Sequence, residues 1–327
     1  MTHPFRRRAL QVLAASLVSL APWAAAQPGA WPAQPVKIVV PFPPGGSTDL
    51  IAREIAQGLA AKFGQAFVVE NRAGAASTLG TALVAKAPGD GYTFLVTSSH
   101  FAIVPSLYEK LPYEPLKDLR GVSMLVNLPV ILVATPALPA NTVKELIAYD
   151  RQHPGKLSFG SSGNGGVNHL SGELFNALAG TRLNHIPYKG AAPAMQDLIG
   201  GHVQVMFDAV STALPHIRSG AIKAIAWTGP QRSAMLPDLP TVAEAGVPNY
   251  ASSSWLAMFA PAGTPTDIVR KVSEQVRVTL NQPAVREKQA ALGVEIVAST
   301  PEQLDGTVRQ EMTKWGELVR RIGVKAD

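Results

Sequence analysis

Short apolar β-type runs alternate along this chain with segments whose apolar residues recur every three or four positions, and that alternation restricts it to an α/β fold. Val36-Lys37-Ile38-Val39-Val40 reads as a strand stopped by Pro41 to Gly46, and Ile51, Ile55, Leu59 and Phe63 place a helix over about 49–63. Ser47 or Thr48 is a suitable N-cap for it. Phe67 to Glu70 and Tyr92 to Thr97 are two further strands, with a short helix over 77–87 between them. Val122 to Ala134 is apolar and β-branched apart from Asn127 and Pro129, and reads as a crossing strand into a second domain that repeats the pattern. Strands are expected there at 157–159, 184–187, 203–207 and 221–227, with helices over 143–151, from near Asn168, and up to Leu198. Ser254 to Ala260 is the return crossing, and two helices, 266–280 and 302–322, complete the chain. Leu304, Val308, Met312, Trp315, Val319 and Ile322 form one core-facing stripe on the last helix.

The N-terminal stretch is of another kind. Arg6, Arg7 and Arg8 precede an apolar run from Ala9 to Trp23, which ends in Ala24-Ala25-Ala26. This is the pattern of a signal peptide over residues 1–26, with Gln27 as the mature N-terminus. The run is shorter than the roughly 20 apolar residues a membrane anchor needs, and no later segment reads as a membrane helix. The arginines also admit the twin-arginine export route. Removing residues 1–26 takes away three arginines and no acid, so the formal net charge falls from +6 to +3. That balance, without a basic cluster interleaved with aromatics, gives no case for nucleic acid. The chain has no cysteine, which rules out disulfides, thiolate chemistry and sulfur-ligated metals. Stability must come from apolar burial, and a chain of this length usually divides into two domains.

Enzyme motifs fail on spacing. There is no G-x-x-x-x-G-K-[ST], no G-x-G-x-x-G, no G-x-S-x-G around Ser161 and Ser162, and no H-E-x-x-H among seven scattered histidines. An acid–base dyad such as His169 with Asp208 would have to be assembled by folding. Two polar, glycine-rich loops at strand-to-helix joins stand out instead: Pro41-Phe42-Pro43-Pro44-Gly45-Gly46-Ser47-Thr48-Asp49, and Gly160 through His169. Glycine lets a backbone approach a ligand closely, and the first turn of a helix offers unpaired amides in a positive local field. Together they suit a carboxylate or other oxyanion. Ser98, Ser99 and His100, Tyr188-Lys189-Gly190 and Asp208 are the polar groups expected around them. Asp49 is unsuited to contact an anion and suited to holding loop amides in place; Asp208 would do likewise, or meet a ligand amine or hydroxyl.

At these loops the chain resembles the substrate-binding receptors of the tripartite tricarboxylate transporter family, the Bug receptors. The matching stretches include PFPPGGSTDLIAR at 41–53, VVENRAGAASTLG at 68–80, APGDGYTFLV at 87–96, SSGNGGVNHLSGELF at 161–175 and HIPYKGAAPAMQDLIGG at 185–201. RSAMLPDLPTVAEAG at 232–246 and FAPAGTPTDIV at 259–269 continue the match, which runs through essentially the whole mature chain. The resemblance implies a two-domain periplasmic binding protein of type II, hinged by two crossing segments around a ligand cleft. Domain 1 would comprise 27–127 plus 252–327, and domain 2 would comprise 128–251. Carried over residue by residue, ligand contacts fall on Phe42, Pro44, Gly45, Gly46, Ser47 and Asp49, with Ser98 and Ser99, in the first domain. In the second they fall on Ser161, Ser162, Gly163, Asn164, His169, Tyr188 and Asp208. Two departures stand out: Ala73 and Gly74-Ala75-Ala76 replace a proline and paired glycines, and Val104 stands where an asparagine usually precedes Pro105.

The resemblance implies periplasmic capture of a small carboxylate, either an aromatic acid or a C4–C6 di- or tricarboxylate, for uptake through integral-membrane permease subunits. It implies a monomer without catalytic residues, metal or cofactor. A receptor reporting to a sensor kinase, or a secreted α/β hydrolase using His169 or His100 with an aspartate, are the alternatives. Turnover of a bound acid would mark the last.

Overall fold

The computed structural model describes residues 31–324. The segment read as a signal peptide lies outside them. From Gln34 onward the chain forms one unit built on a ten-stranded sheet.

The elements follow the alternation seen in sequence. They begin with β1 (Val36–Val40), α1 (Ser47–Phe63), β2 (Phe67–Asn71), α2 (Thr78–Ala85), β3 (Thr93–Ser98), α3 (His100–Leu107), the short α4 (Pro115–Asp118) and β4 (Leu119–Ala134). The second half-pattern is α5 (Val143–Gln152), β5 (Ser158–Ser161), α6 (Val167–Ala179), β6 (Asn184–Pro187), α7 (Ala191–Ile199), β7 (Val205–Ala209), α8 (Val210–Arg218) and β8 (Lys223–Trp227). The chain then returns through β9 (Ser253–Pro261), α9 (Thr266–Leu280), α10 (Pro283–Ala291), β10 (Glu295–Ile296) and α11 (Pro301–Ile322). Four helices, α3, α4, α8 and α10, and β10 escape the sequence pattern. In α3 the reason is Pro105, which reads as a breaker but removes only one backbone bond from an eight-residue helix. α10 carries few buried residues, so it has little apolar stripe to detect.

Strand order is β2-β1-β3-β9-β4-β7-β5-β6, with β8 and β10 also pairing β4. β1 runs parallel to β2 and β3, and β5 runs parallel to β6 and β7. The central parallel strands β1, β3 and β7 are mostly buried, which is why they read as apolar runs, while the edge strands β2 and β6 are more exposed. β4 joins the two halves. Its first part, Leu119 to Pro129, pairs antiparallel with β9, and its last part, Val130 to Ala134, pairs with β7 and β8. Pro129 sits where the strand changes partners, a place where a missing ladder N–H does little harm. β9 runs back beside it, and just before it Ser252 bonds to Thr228 in both directions, the Ser252 amide to the Thr228 carbonyl and the Thr228 hydroxyl to the Ser252 carbonyl.

One core cluster, with Val39, Leu95, Phe101, Trp255 and Phe259, fills the first half. Another, with Phe159, Phe175, Phe207 and Tyr250, fills the second and also takes in Ile103 and Leu107 of α3 and Trp315, Leu318 and Val319 of α11. The long stripe on α11 therefore serves both halves: Leu304 and Val308 belong to the first cluster. A complete capping box at Thr300 and Gln303 fixes the start of that helix. The departure at Ala75-Ala76 leaves a mark: Ala75, Ala76 and Ser77 all adopt positive φ, the region where glycine would be unstrained.

Candidate functional site

Three of these helices, α1, α6 and α7, begin at a glycine with no capping side chain, and the first two start at one cavity. The N-cap of α1 is Gly46 (φ −77°, ψ 168°), so the helix starts at Ser47, one residue before the serine or threonine cap expected from sequence. The N-cap of α6 is Gly166 (φ −76°, ψ 165°), equally uncapped by a side chain. A glycine cap leaves first-turn amides open to a guest, where a serine or aspartate would have claimed them.

A cavity of about 460 Å³ lies at these helix ends. Phe42, Pro43, Pro44, Gly46, Ser47 and Thr48 come from the first loop, and Ser98 and His100 from the end of β3 and the start of α3. Leu128 and Val130 of β4 and Ser254 and Leu256 of β9 also line it, as do Val167 and Asn168 of α6 and Ala209, which precedes α8. The apolar part of the wall is supplied by the crossing strands together with Phe42 and the prolines of the first loop, and no lining side chain carries a full charge. A larger groove of about 680 Å³ runs between the bodies of α6 and α11 among Leu178, Arg309, Lys314 and Arg321. It collects long flexible side chains and no helix N-terminus, so it lacks the amides that make an anion site.

The first loop is held from behind. Asp49 is 2 % exposed and accepts from the Gly45 amide, from Arg53 Nε and Nη2, and from Asn71 Nδ2, all at 3.0 Å. The Asn71 amide group also donates to the Phe42 carbonyl at 3.1 Å. Hydrogen bonds from Arg53 bring the Asp49 carboxyl down to about 2 against the opposite pull of burial. Gly45 takes φ +86°, which glycine alone adopts without strain, to turn its amide toward Asp49.

The second loop rests on two imidazoles. His169 Nδ1 accepts from the Gly165 amide at 3.0 Å, and His185 Nε2 lies 2.6 Å from Ser161 Oγ. Ser161 in turn accepts from the Gly163 amide and donates to its carbonyl. The two rings stack at 3.7 Å and 7°, with Phe159 continuing the stack at 4.9 Å from His185. Burial pushes both histidines down to about 4, and for His169 the proximity of His185 adds to it. Two neutral rings can stack this closely where two cations would repel.

Placement of the sequence-derived residues is uneven. Phe42, Pro44, Gly46, Ser47 and Ser98 line the cavity. Gly45 and Asp49 stand behind the first loop. Ser99 is buried with its hydroxyl 2.9 Å from that of the wall residue Ser254. Ser161, Gly163 and His169 shape the second loop, and Ser162 donates to Asn168 Oδ1 at 3.3 Å. Asn164 is exposed on that loop. Tyr188 donates its hydroxyl to Asp197 at 2.6 Å and its backbone amide to the Ser161 carbonyl. Asp208 is buried, accepting from Thr212 Oγ1 and Asn168 Nδ2, and burial raises its carboxyl. His169 and Asp208 therefore form no dyad; each bonds elsewhere. Wall residues not among the expected contacts are Pro43, Thr48, Leu128, Val130, Val167, Asn168, Ala209, Ser254 and Leu256. Thr48, Val167 and Asn168 sit at loop-to-helix joins already identified and so had a signal; Ala209 precedes α8, which the sequence pattern did not show, and the strand residues face the cavity only through the fold.

Comparison with known proteins accords with this architecture. Residues 51–324 match the model of the "Tripartite tricarboxylate transporter family receptor". The chain belongs to that family. It is 41 % identical to protein BugT of Bordetella pertussis over 297 residues, covering 90 % of this chain and 91 % of that one. Among solved structures it is similar to Rpa4515 of R. palustris, determined with adipate: 37 % identity, TM-score 0.77, covering 90 % of this chain and 99 % of that one. MatC of Rhodopseudomonas palustris, with bound malate, is 35 % identical with TM-score 0.74, covering 88 % of this chain and 100 % of that one. The receptor thus has the two-domain α/β fold of periplasmic binding proteins. It is a periplasmic binding component, not an enzyme.

Proposed function

We propose that this receptor captures a small aliphatic dicarboxylate in the cavity between its halves and hands it to the membrane permease subunits of its transporter. The observation that carries the reading is the pair of glycine-capped helix starts, at Ser47 and Val167, on one cavity without a charged wall residue. One carboxylate would accept first-turn amides there, while Leu128, Val130 and Leu256 cover an apolar chain. The adipate and malate found in the two R. palustris relatives support an aliphatic diacid over an aromatic acid. Phe42, Pro44, Gly46, Ser47 and Ser98 would touch the ligand; Gly45, Asp49, Ser99, Ser161, Ser162, Gly163, His169, Tyr188 and Asp208 hold the loops that present them, and Asn164 lies at the rim.

The division into domains at about 128 and 251 fits this mechanism. β4 changes partners at Pro129, and the return segment enters β9 at Ser253, so both crossings supply hinge points beside the cavity. Closure would join contacts from the two halves and exclude water, which strengthens every polar contact inside. The receptor acts as a monomer in this account. Native mass spectrometry of protein purified without denaturation, followed by a thermal-shift panel of C2 to C8 mono- and dicarboxylates, tests it. A diacid in excess should raise the melting midpoint by mass action. A panel in which no carboxylate shifts the melt refutes the proposal.

A further inference from the structure

Among the residues lining the cavity, His100 alone titrates. It opens α3 directly after β3, and its ring is fixed on two sides. Nδ1 lies 3.0 Å from Ser98 Oγ, whose oxygen also accepts the His100 amide at 3.4 Å. Phe42 meets the ring edge-on, with centroids 5.9 Å apart and planes at 70°. Taking the serine hydroxyl as acceptor for the amide and donor to Nδ1 assigns the imidazole proton to Nε2. No described residue bonds that nitrogen.

Resting on the carboxylate-binding reading above, we propose that His100 reads the second carboxylate of a diacid: Nε2–H donates to it, and the ring takes up a proton as the dianion binds. The first carboxylate, on the helix amides, meets no titratable group. The second would lie beside a neutral imidazole, and an opposite charge within a few ångströms favours the protonated ring. Burial holds His100 below its ordinary value in the empty cavity, so there is room for that upward shift on binding. No charged side chain of β3, β9, α3 or the first loop offsets it: Asp49, the acid nearest in that loop, is turned into its pair with Arg53. A site built this way separates diacids from monoacids by one neutral side chain instead of an arginine, and links diacid capture to proton uptake.

Titration calorimetry in buffers of different ionisation enthalpy, with adipate and hexanoate as probes, tests the proposal on the unaltered protein. Adipate at pH 7 should bind with uptake of a substantial fraction of one proton, and hexanoate with none. In His100→Gln the uptake should vanish, and in His100→Leu the preference for adipate over hexanoate should fall by about tenfold or more, with hexanoate affinity kept within about threefold. Adipate binding without proton uptake overturns the proposal, as does an unchanged adipate-to-hexanoate ratio in a folded His100→Leu protein; in either case diacid capture itself stands. If the unaltered protein binds no carboxylate at all, the reading beneath the proposal falls, and the proposal with it.

Discussion

Replacing Gly46 by aspartate separates binding from folding at the first helix start. The backbone there is extended at φ −77°, which any residue adopts, and a Cβ at Gly46 would meet nothing nearer than the Pro43 carbonyl oxygen at 3.9 Å. An aspartate would accept the first-turn amides of α1 as an ordinary N-cap, changing stability by only a few tenths of a kcal/mol relative to glycine. The same side chain would take the amides assigned to the ligand and set a negative charge beside it. Two like charges about 4 Å apart repel by about 4 kcal/mol at an effective dielectric near 20, and by less where solvent enters. At roughly 1.4 kcal/mol per decade, a penalty of about 2–4 kcal/mol weakens adipate binding by about 30- to 1,000-fold. Gly46→Ser, a cap without charge, should lose about tenfold. Calorimetric titration with adipate, alongside a thermal melt of each variant, makes the comparison. A Gly46→Asp protein that melts normally and binds adipate within threefold of the original refutes the assignment of this helix end.

Other expectations concern what stands behind the site. The Asp49 carboxyl lies below its unfolded value near 3.8, so the stability it adds is present above about pH 4 and is lost as pH falls toward 2. Asp49→Ala removes the charged acceptor shared by the Gly45 amide, Arg53 and Asn71 and should cost about 1–3 kcal/mol by urea titration at pH 7. For His169 and His185 the folded values near 4 lie below the unfolded value near 6.5, so acidification from about 6.5 to 4 favours the unfolded chain, by at most about 1.4 kcal/mol per pH unit for each ring. A melting midpoint that falls over this range less steeply in His185→Phe than in the original checks it. Gly58→Ala would drive a Cβ to 2.0 Å from Thr279 Oγ1 where α1 packs on α9, and should destabilise by about 1–3 kcal/mol while leaving adipate affinity per folded molecule unchanged. Ala76→Gly should instead raise the melting midpoint, by up to about 1 kcal/mol of stability, since it relieves a left-handed alanine.

The fold was legible because its signals are periodic. Apolar runs with buried faces mark β1, β3, β4 and β9, and the stripe from Leu304 to Ile322 marks α11. Legibility failed where a local signal was missing or misleading: Pro105 conceals α3, and α10 lacks a buried stripe. At the site, loops could be located but side-chain direction could not. His169 and Tyr188 look like ligand contacts in a line of text, and each is turned inward, to Gly165 and Asp197, to fix a loop. Leu128, Val130 and Leu256 look like core, and Val130 and Leu256 are buried, yet all three also line the cavity, because β4 and β9 pass beside the helix ends only in three dimensions. Asp49 illustrates the favourable case: an acid unsuited to an anion site was readable as a brace, and it is one.

A crystal structure of the adipate complex tests the central claim most directly. One carboxylate should accept hydrogen bonds of about 2.7–3.2 Å from the first-turn amides at Ser47 and Thr48 and from those at Val167 or Asn168, with the chain against Leu128 and Leu256. Adipate bound elsewhere, in the groove between α6 and α11 for example, or held in the cavity without a contact to either helix start, would contradict it.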